Sequence, residues 1–129
     1  MTWRGWHLLV GGAGMLLFVL TGYYMLRVAG VPELPDSERL LYRSSHIYLL
    51  LVCVANVYVG YAMPAGVKPG RPQVLCSAVL LFAVPLLAWS FFAEPSSSGL
   101  DRPLARSTLF LLFGAPVLLL LHDCYRKLK

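Results

Sequence analysis

Charged residues are scarce in this sequence, and their scarcity sets the class of protein. Only 13% of the 129 residues are charged, whereas 58% are hydrophobic, and the mean hydropathy is +0.68. A soluble domain has about 25% charged and about 45–50% apolar residues. A chain this short has too little interior to bury so much apolar surface. The surplus must contact another apolar medium, and we predict that this medium is lipid.

Charge is almost absent from four long apolar runs, which cover about residues 7–26, 40–63, 73–93 and 104–122. A helix of about 20 residues extends about 30 Å, the thickness of the hydrocarbon core of a bilayer. Short connections make consecutive helices antiparallel. We therefore predict an all-α membrane protein, one domain over residues 1–129, in which four transmembrane helices form an antiparallel bundle. Proline lacks a backbone N–H, so we expect kinks in the third and fourth helices at Pro85 and Pro116.

Helix boundaries follow from capping residues and prolines. Asp36 or Ser37 can accept a hydrogen bond from a free backbone N–H, which would begin the second helix before its apolar run. Pro64 should end that helix. Pro72 suits the first turn of the third helix, and the polar stretch 94–100 should form a hydrated loop.

No carboxylate lies in the interior of a span, and this absence weighs against several functions. A proton-coupled transporter typically needs an acid within the membrane. Nucleophilic catalysis needs a base beside the nucleophile, and neither Ser77 nor Ser90 has a histidine at a matching depth. The sequence therefore favours a protein that is not an enzyme.

Ligands for metals and haem are also few. The three cysteines show no C-x-x-C spacing, and the adjacent residues His122, Asp123 and Cys124 point in different directions from a helix. We predict no metal site. In an up-and-down bundle His46 and His122 lie at opposite membrane faces, so they cannot hold one haem between them. A haem on His46 alone, or a quinone, stays open as an alternative.

Basic residues exceed acidic ones, with a net charge of +5 and a pI of about 9.4. They are spread over the loops, and no patch large enough for nucleic acid forms. Six of the eleven Lys and Arg residues lie in the N-terminal stretch, the second loop and the C-terminus. Because basic loops favour the cytoplasm, we predict that both termini are cytoplasmic and that the chain lies in the cell (inner) membrane.

The second span has most of its polar residues on one side. At 100° per residue, seven residues fall within an arc of about 140°: Arg39, Tyr42, Arg43, His46, Cys53, Asn56 and Gly60. Polar groups rarely face lipid, so this face should point into the bundle or at a partner. We identify Arg39, Tyr42, Arg43, His46 and Asn56 as its candidate ligand or partner residues.

Two roles follow from this face. An interhelical hydrogen bond from Asn56 is worth about 0.6–2 kcal/mol in a membrane, and we expect it to hold helices together. Arg43 and His46 lie one turn apart. They could reach the headgroups, contact a partner subunit, or bind an anionic or quinone-like headgroup with both side chains as donors.

The first span has a stripe of mostly small residues at helical spacing: Gly11, Gly14, Phe18, Thr21, Gly22 and Met25. Small residues let another helix approach closely. We predict helix packing at Gly11, Gly14, Gly22 and Gly60, within the monomer or in an oligomer.

These observations favour a small integral membrane protein that acts as an accessory, assembly or scaffolding subunit of a larger membrane complex. One alternative is a redox-linked (quinone or haem) or lipid-headgroup-binding component that uses Arg43 and His46. Another is a small oligomeric channel or transporter. The expected partners are the lipid bilayer and other membrane subunits or further copies of the chain.

Overall fold

A computed structural model describes residues 2–64, 70–95 and 102–127. Over these ranges the chain is all-helical and contains no strand. The helices are α1 (Trp3–Arg27), α2 (Asp36–Ala62), α3 (Arg71–Ala93) and α4 (Pro103–Lys127). Helices α1, α2 and α3 are long and apolar enough to cross a membrane. This agrees with the predicted all-α membrane protein.

Helices α2 and α3 begin near the predicted residues, but the predicted capping interactions are not all present. Helix α2 begins at Asp36, yet no side chain caps it, so the capping prediction is wrong. Asp36 lies inside the first turn, where it forms an ion pair with Arg39 one turn later. Pro72 does lie in the first turn of α3. Residues 65–69 and 96–100, which belong to predicted loops, lie outside the described residues.

Helices α1, α2 and α3 contact one another pairwise, and α4 packs on α3. Side chains from three helices form the buried core: Leu49, Val52, Cys53, Ala83, Val84, Leu87, Ala105 and Leu112. Helix α1 adds partly buried residues such as Phe18. The side of α2 opposite its polar face is exposed at Ile47, Leu51 and Tyr58. At Cys53, Asn56 and Gly60 the polar side of α2 therefore faces its neighbours, and the apolar side faces outward.

Glycines bring the backbones of α1 and α2 close together. A Cβ atom on Gly11 would lie 2.8 Å from Cγ2 of Val57 and 2.9 Å from its backbone nitrogen. A Cβ on Gly60 would lie 2.9 Å from Cγ of Leu8. Gly14 contacts Cys53 and Val84 in the same way. Gly22 faces the His46 ring of α2 at ordinary van der Waals distance, so the four glycines chosen from the sequence all lie where α1 meets another helix or α2 meets α1.

Replacing Gly11 by alanine is expected to destabilise the fold by about 1–3 kcal/mol, because the added methyl group meets a backbone atom that cannot rotate away. The matched control is Gly12→Ala, where a Cβ meets nothing within 4 Å. Reversible unfolding of both variants in mixed micelles measures their free energies of unfolding. Equal stability of the two variants would show that the α1–α2 contact is looser than described.

Candidate functional site

Asn56 connects three helices at the centre of the polar face. Its side-chain nitrogen donates to the backbone carbonyls of Val52 and Leu80, each at 2.9 Å. Its Oδ1 atom lies 2.8 Å from Nδ1 of His7. Both His7 and Asn56 have an exposed fraction of 0%. One amide thereby joins α1, α2 and α3.

These contacts also determine which ring nitrogen of the neutral His7 side chain carries the proton. Because the Asn56 nitrogen faces two carbonyl acceptors, its oxygen must face His7, and Nδ1 of His7 must carry the proton. The other ring nitrogen, Nε2, is buried without a hydrogen-bond partner among the described residues. The ring is therefore enclosed between helices, and we assign it a structural role.

His46 lies at the other end of the α1–α2 interface. Its Nδ1 atom is 3.1 Å from Oγ1 of Thr21, and its ring stacks on Phe18 with centroids 3.9 Å apart. Its Cε1–Nε2 edge faces Gly22. The ring is half-buried, so this histidine differs from the enclosed His7.

An aromatic cluster joins the ends of three helices beside His46. The Phe91 ring of α3 meets Tyr42 of α2 edge to face at 5.5 Å and Tyr24 of α1 at 6.2 Å. Tyr24 also meets Phe92 at 5.5 Å. The cluster holds the His46 ring in place from the side of α3.

A second polar cluster lies where α3 and α4 meet. Glu94 Oε1 accepts hydrogen bonds from the backbone nitrogens of Leu104 at 2.7 Å and Ala105 at 3.0 Å, so this carboxylate caps α4. Its Oε2 accepts from Ser90 and lies 3.5 Å from Nε of Arg102. The sequence placed Glu94 in a hydrated loop, but the side chain is buried. That expectation is wrong because the α4 backbone and Arg102 replace water around the carboxylate.

Arg102 extends this cluster to α2. Its guanidinium donates to the hydroxyls of Ser44 and Ser45. It also lies over the ring of Tyr48, 5.7 Å from the ring centre. The side chain is only 14% exposed, so the cluster fastens the α3–α4 junction to the second helix.

An open groove of about 1050 Å³ runs between α1 and α3. Four small residues lie along it: Ala13, Gly14, Ala78 and Ala88. Bulky aromatic residues also line it, among them Trp3, Trp6, Phe82 and Trp89. None of the lining residues is charged, so the groove is a surface for apolar contact.

The candidate residues on the polar face of α2 have different surroundings in the structure. Asn56 is buried, Tyr42 packs on Phe91, and His46 contacts α1. Arg39 bonds with Asp36 and the carbonyl of Pro32 rather than with the other candidates. Arg43 is exposed. The five side chains therefore do not all converge on one pocket, although Arg43 and His46 lie three residues apart on one side of α2, with Arg43 exposed and His46 half-buried.

Sequence reasoning missed His7, Glu94 and Arg102. Their partners lie on other helices, and spacing along one helix does not reveal them. The Ser44–Ser45 pair beside His46 was a weak signal, since a hydroxyl oxygen can accept a hydrogen bond from a cation. Within the described residues, no three His, Cys, Asp or Glu side chains come together to hold a metal ion.

Comparisons with protein-family models, with curated protein sequences and with solved structures found no match.

Proposed function

We propose that the chain crosses the cell membrane four times, with α4 as the fourth span and both termini in the cytoplasm. The described apolar part of α4, Pro103–Gly114, continues as helix to Lys127. Pro85 leaves the Leu81 carbonyl without its helical donor, and Pro116 does the same in α4. These positions support a bend in each helix, as the sequence predicts.

We propose that the protein is a non-catalytic accessory, assembly or scaffolding subunit of a larger membrane complex. One observation carries this proposal: the buried polar side chains bond to helix ends, backbone carbonyls and one another. Asn56 joins three helices, and Glu94 and Arg102 fasten α4. Such groups fix the shape of a small bundle, whereas a catalyst directs them into a cavity.

The groove between α1 and α3 is the proposed partner surface, and its occupant is a transmembrane helix of another subunit. Lipid tails are as apolar as the groove, so association must come from close packing. Ala13, Ala78 and Ala88 leave room for the side chains of a second helix near the backbone. The groove follows α1 from Trp3 to Leu17, which is about 21 Å at 1.5 Å per residue.

Filling the groove is expected to remove the partner and leave the fold intact. Ala13→Phe and Ala78→Phe each add a ring that occupies the space of the partner helix. We expect recovery of the partner in a mild-detergent purification from native membranes to fall at least tenfold for either variant. Native mass measurement of the purified complex reports the partner and the copy number together.

The matched control is Leu16→Phe, which adds a ring at a position that is 63% exposed and does not line the groove. Recovery of the partner with this variant should equal that of the wild type. If the wild-type chain purifies alone from gently solubilised native membranes, the accessory role is refuted. If a partner is lost equally from all three variants, the groove is not its binding surface.

A further inference from the structure

The Nε2 atom of His46 is a hydrogen-bond acceptor, because the other ring nitrogen, Nδ1, carries the proton. Thr21 has one hydroxyl proton, which it donates to the backbone carbonyl of Phe18 at 2.9 Å. The same hydroxyl oxygen lies 3.1 Å from Nδ1 of His46 and therefore meets this nitrogen as an acceptor. Nδ1 carries the proton, and Nε2 of the neutral ring holds a lone pair.

This lone pair is accessible, in contrast to that of His7. Nε2 of His7 is buried, whereas Nε2 of His46 is not among the buried polar atoms and has no hydrogen-bond partner among the described residues. Gly22 borders it: a Cβ there would lie 3.4 Å from Cε1 and 3.5 Å from Nε2. The missing side chain of Gly22 keeps the nitrogen open to a ligand.

A cation lies on the same side of α2 as His46. Arg43 precedes His46 by three residues, which places both on one side of α2, and its side chain is exposed. Gly22 is near the end of α1, next to the exposed Tyr23. Because tyrosine prefers the headgroup level of a bilayer, the Arg43–His46–Gly22 site lies where lipid headgroups are.

The guanidinium of Arg43 and the Nε2 lone pair of His46 bind different parts of a ligand. A guanidinium pairs with phosphate through parallel hydrogen bonds. An imidazole lone pair repels phosphate oxygens but accepts from an O–H group. The ligand must therefore combine an anionic phosphate with a hydroxyl donor. This replaces the sequence-based expectation of two donors, because Thr21 already uses the Nδ1 proton of His46.

We propose that the Arg43–His46–Gly22 site binds an anionic phospholipid whose headgroup has free hydroxyls, such as phosphatidylglycerol. Arg43 binds the phosphate, Nε2 of His46 accepts from a headgroup hydroxyl, and Gly22 provides the space. The site is separate from the α1–α3 groove, so it does not depend on the proposed partner. Phosphatidylcholine has the phosphate but no donor, and it should bind poorly.

The test is lipid retention by the full chain in mixed micelles with equal amounts of phosphatidylglycerol and phosphatidylcholine. Native mass spectrometry should show at least fivefold more phosphatidylglycerol on the wild type. Gly22→Ala, which places a methyl group 3.5 Å from Nε2 where the headgroup hydroxyl should bind, and Arg43→Gln should each lower that ratio at least fivefold. The ¹⁵N spectrum of His46 should show an unprotonated Nε2 whose resonance moves when phosphatidylglycerol is added.

Gly12→Ala and Arg71→Gln are the matched controls, because Gly12 meets nothing within 4 Å and the exposed Arg71 starts another helix. Both should retain phosphatidylglycerol like the wild type. Equal retention of the two lipids, or full retention by Arg43→Gln, would overturn the proposal. Displacement of the lipid by millimolar glycerol phosphate would assign the site to a soluble phosphate ester instead. Because Arg43 is exposed, its variant gives a result even if Gly22→Ala fails to fold.

Discussion

Replacing Asn56 by leucine should lower the free energy of unfolding by about 2–4 kcal/mol. The change removes three hydrogen bonds and leaves the Nδ1 proton of His7 buried without an acceptor, and one such orphaned group costs about 1–3 kcal/mol. Each lost bond between helices adds about 0.6 kcal/mol in a membrane. Reversible unfolding in mixed micelles measures the difference.

A double-mutant cycle separates the His7–Asn56 bond from general disruption. If the His7–Asn56 bond accounts for most of the lost stability, the effects of the two substitutions should not add. The double variant His7→Phe/Asn56→Leu should then be more stable, by at least about 1 kcal/mol, than the sum of the two single-variant destabilisations predicts. Val54→Leu, a change on the exposed side of the same helix, is the control and should have little effect. A stability of Asn56→Leu within about 0.5 kcal/mol of the wild type would contradict the three-helix contact.

Replacing Glu94 by alanine is expected to destabilise the protein by about 2–4 kcal/mol. Arg102 would stay largely buried without its counter-charge, and breaking a buried pair in this way typically costs about 3–5 kcal/mol. Arg102 keeps its bonds to Ser44 and Ser45, which reduces the loss. The first turn of α4 also loses its cap, which is worth about 0.5–2 kcal/mol. Amide exchange at Leu104 and Ala105 should become at least tenfold faster.

Glu94→Gln separates the two effects, since its amide oxygen can still cap α4 while its charge is gone. We expect this variant to protect Leu104 and Ala105 better than Glu94→Ala does. Glu33, which is exposed in the first connection, provides the control, and its replacement by alanine should change stability by less than about 0.5 kcal/mol. Unchanged exchange in Glu94→Ala would mean that α4 begins without this carboxylate.

The helical class and the polar side of α2 could be predicted because both depend on local patterns. Long uncharged runs indicate a membrane medium, and 100° spacing collects polar residues on one face. The structure places Asn56 and Gly60 in buried contacts and Tyr58 outside, as that spacing implies. Both patterns are read within a single helix and do not depend on the position of the other helices.

The partners of these residues could not be predicted, because they depend on how the helices align. His7 begins the first apolar run, and nothing in its position along the chain indicates that it pairs with Asn56, 49 residues away. Capping rules search within about three residues of a helix start, whereas Glu94 caps a helix that begins at Pro103. Arg43 and His46 share one side of α2, but only the structure shows that Thr21 occupies one nitrogen of the histidine.

The contact of Arg102 with Ser44 and Ser45 has a consequence for how the chain inserts. If α3 and α4, with α4 as the proposed fourth span, entered the bilayer in the inverted orientation, Arg102 and the two serines would lie at opposite leaflets, about 30 Å apart. Arg102 would then lose its hydrogen bonds to the hydroxyls of Ser44 and Ser45. The six-to-five distribution of basic residues gives little guidance on orientation. With α4 as the proposed fourth span, these contacts favour the arrangement in which the α1–α2 and α3–α4 connections lie on the same side of the membrane.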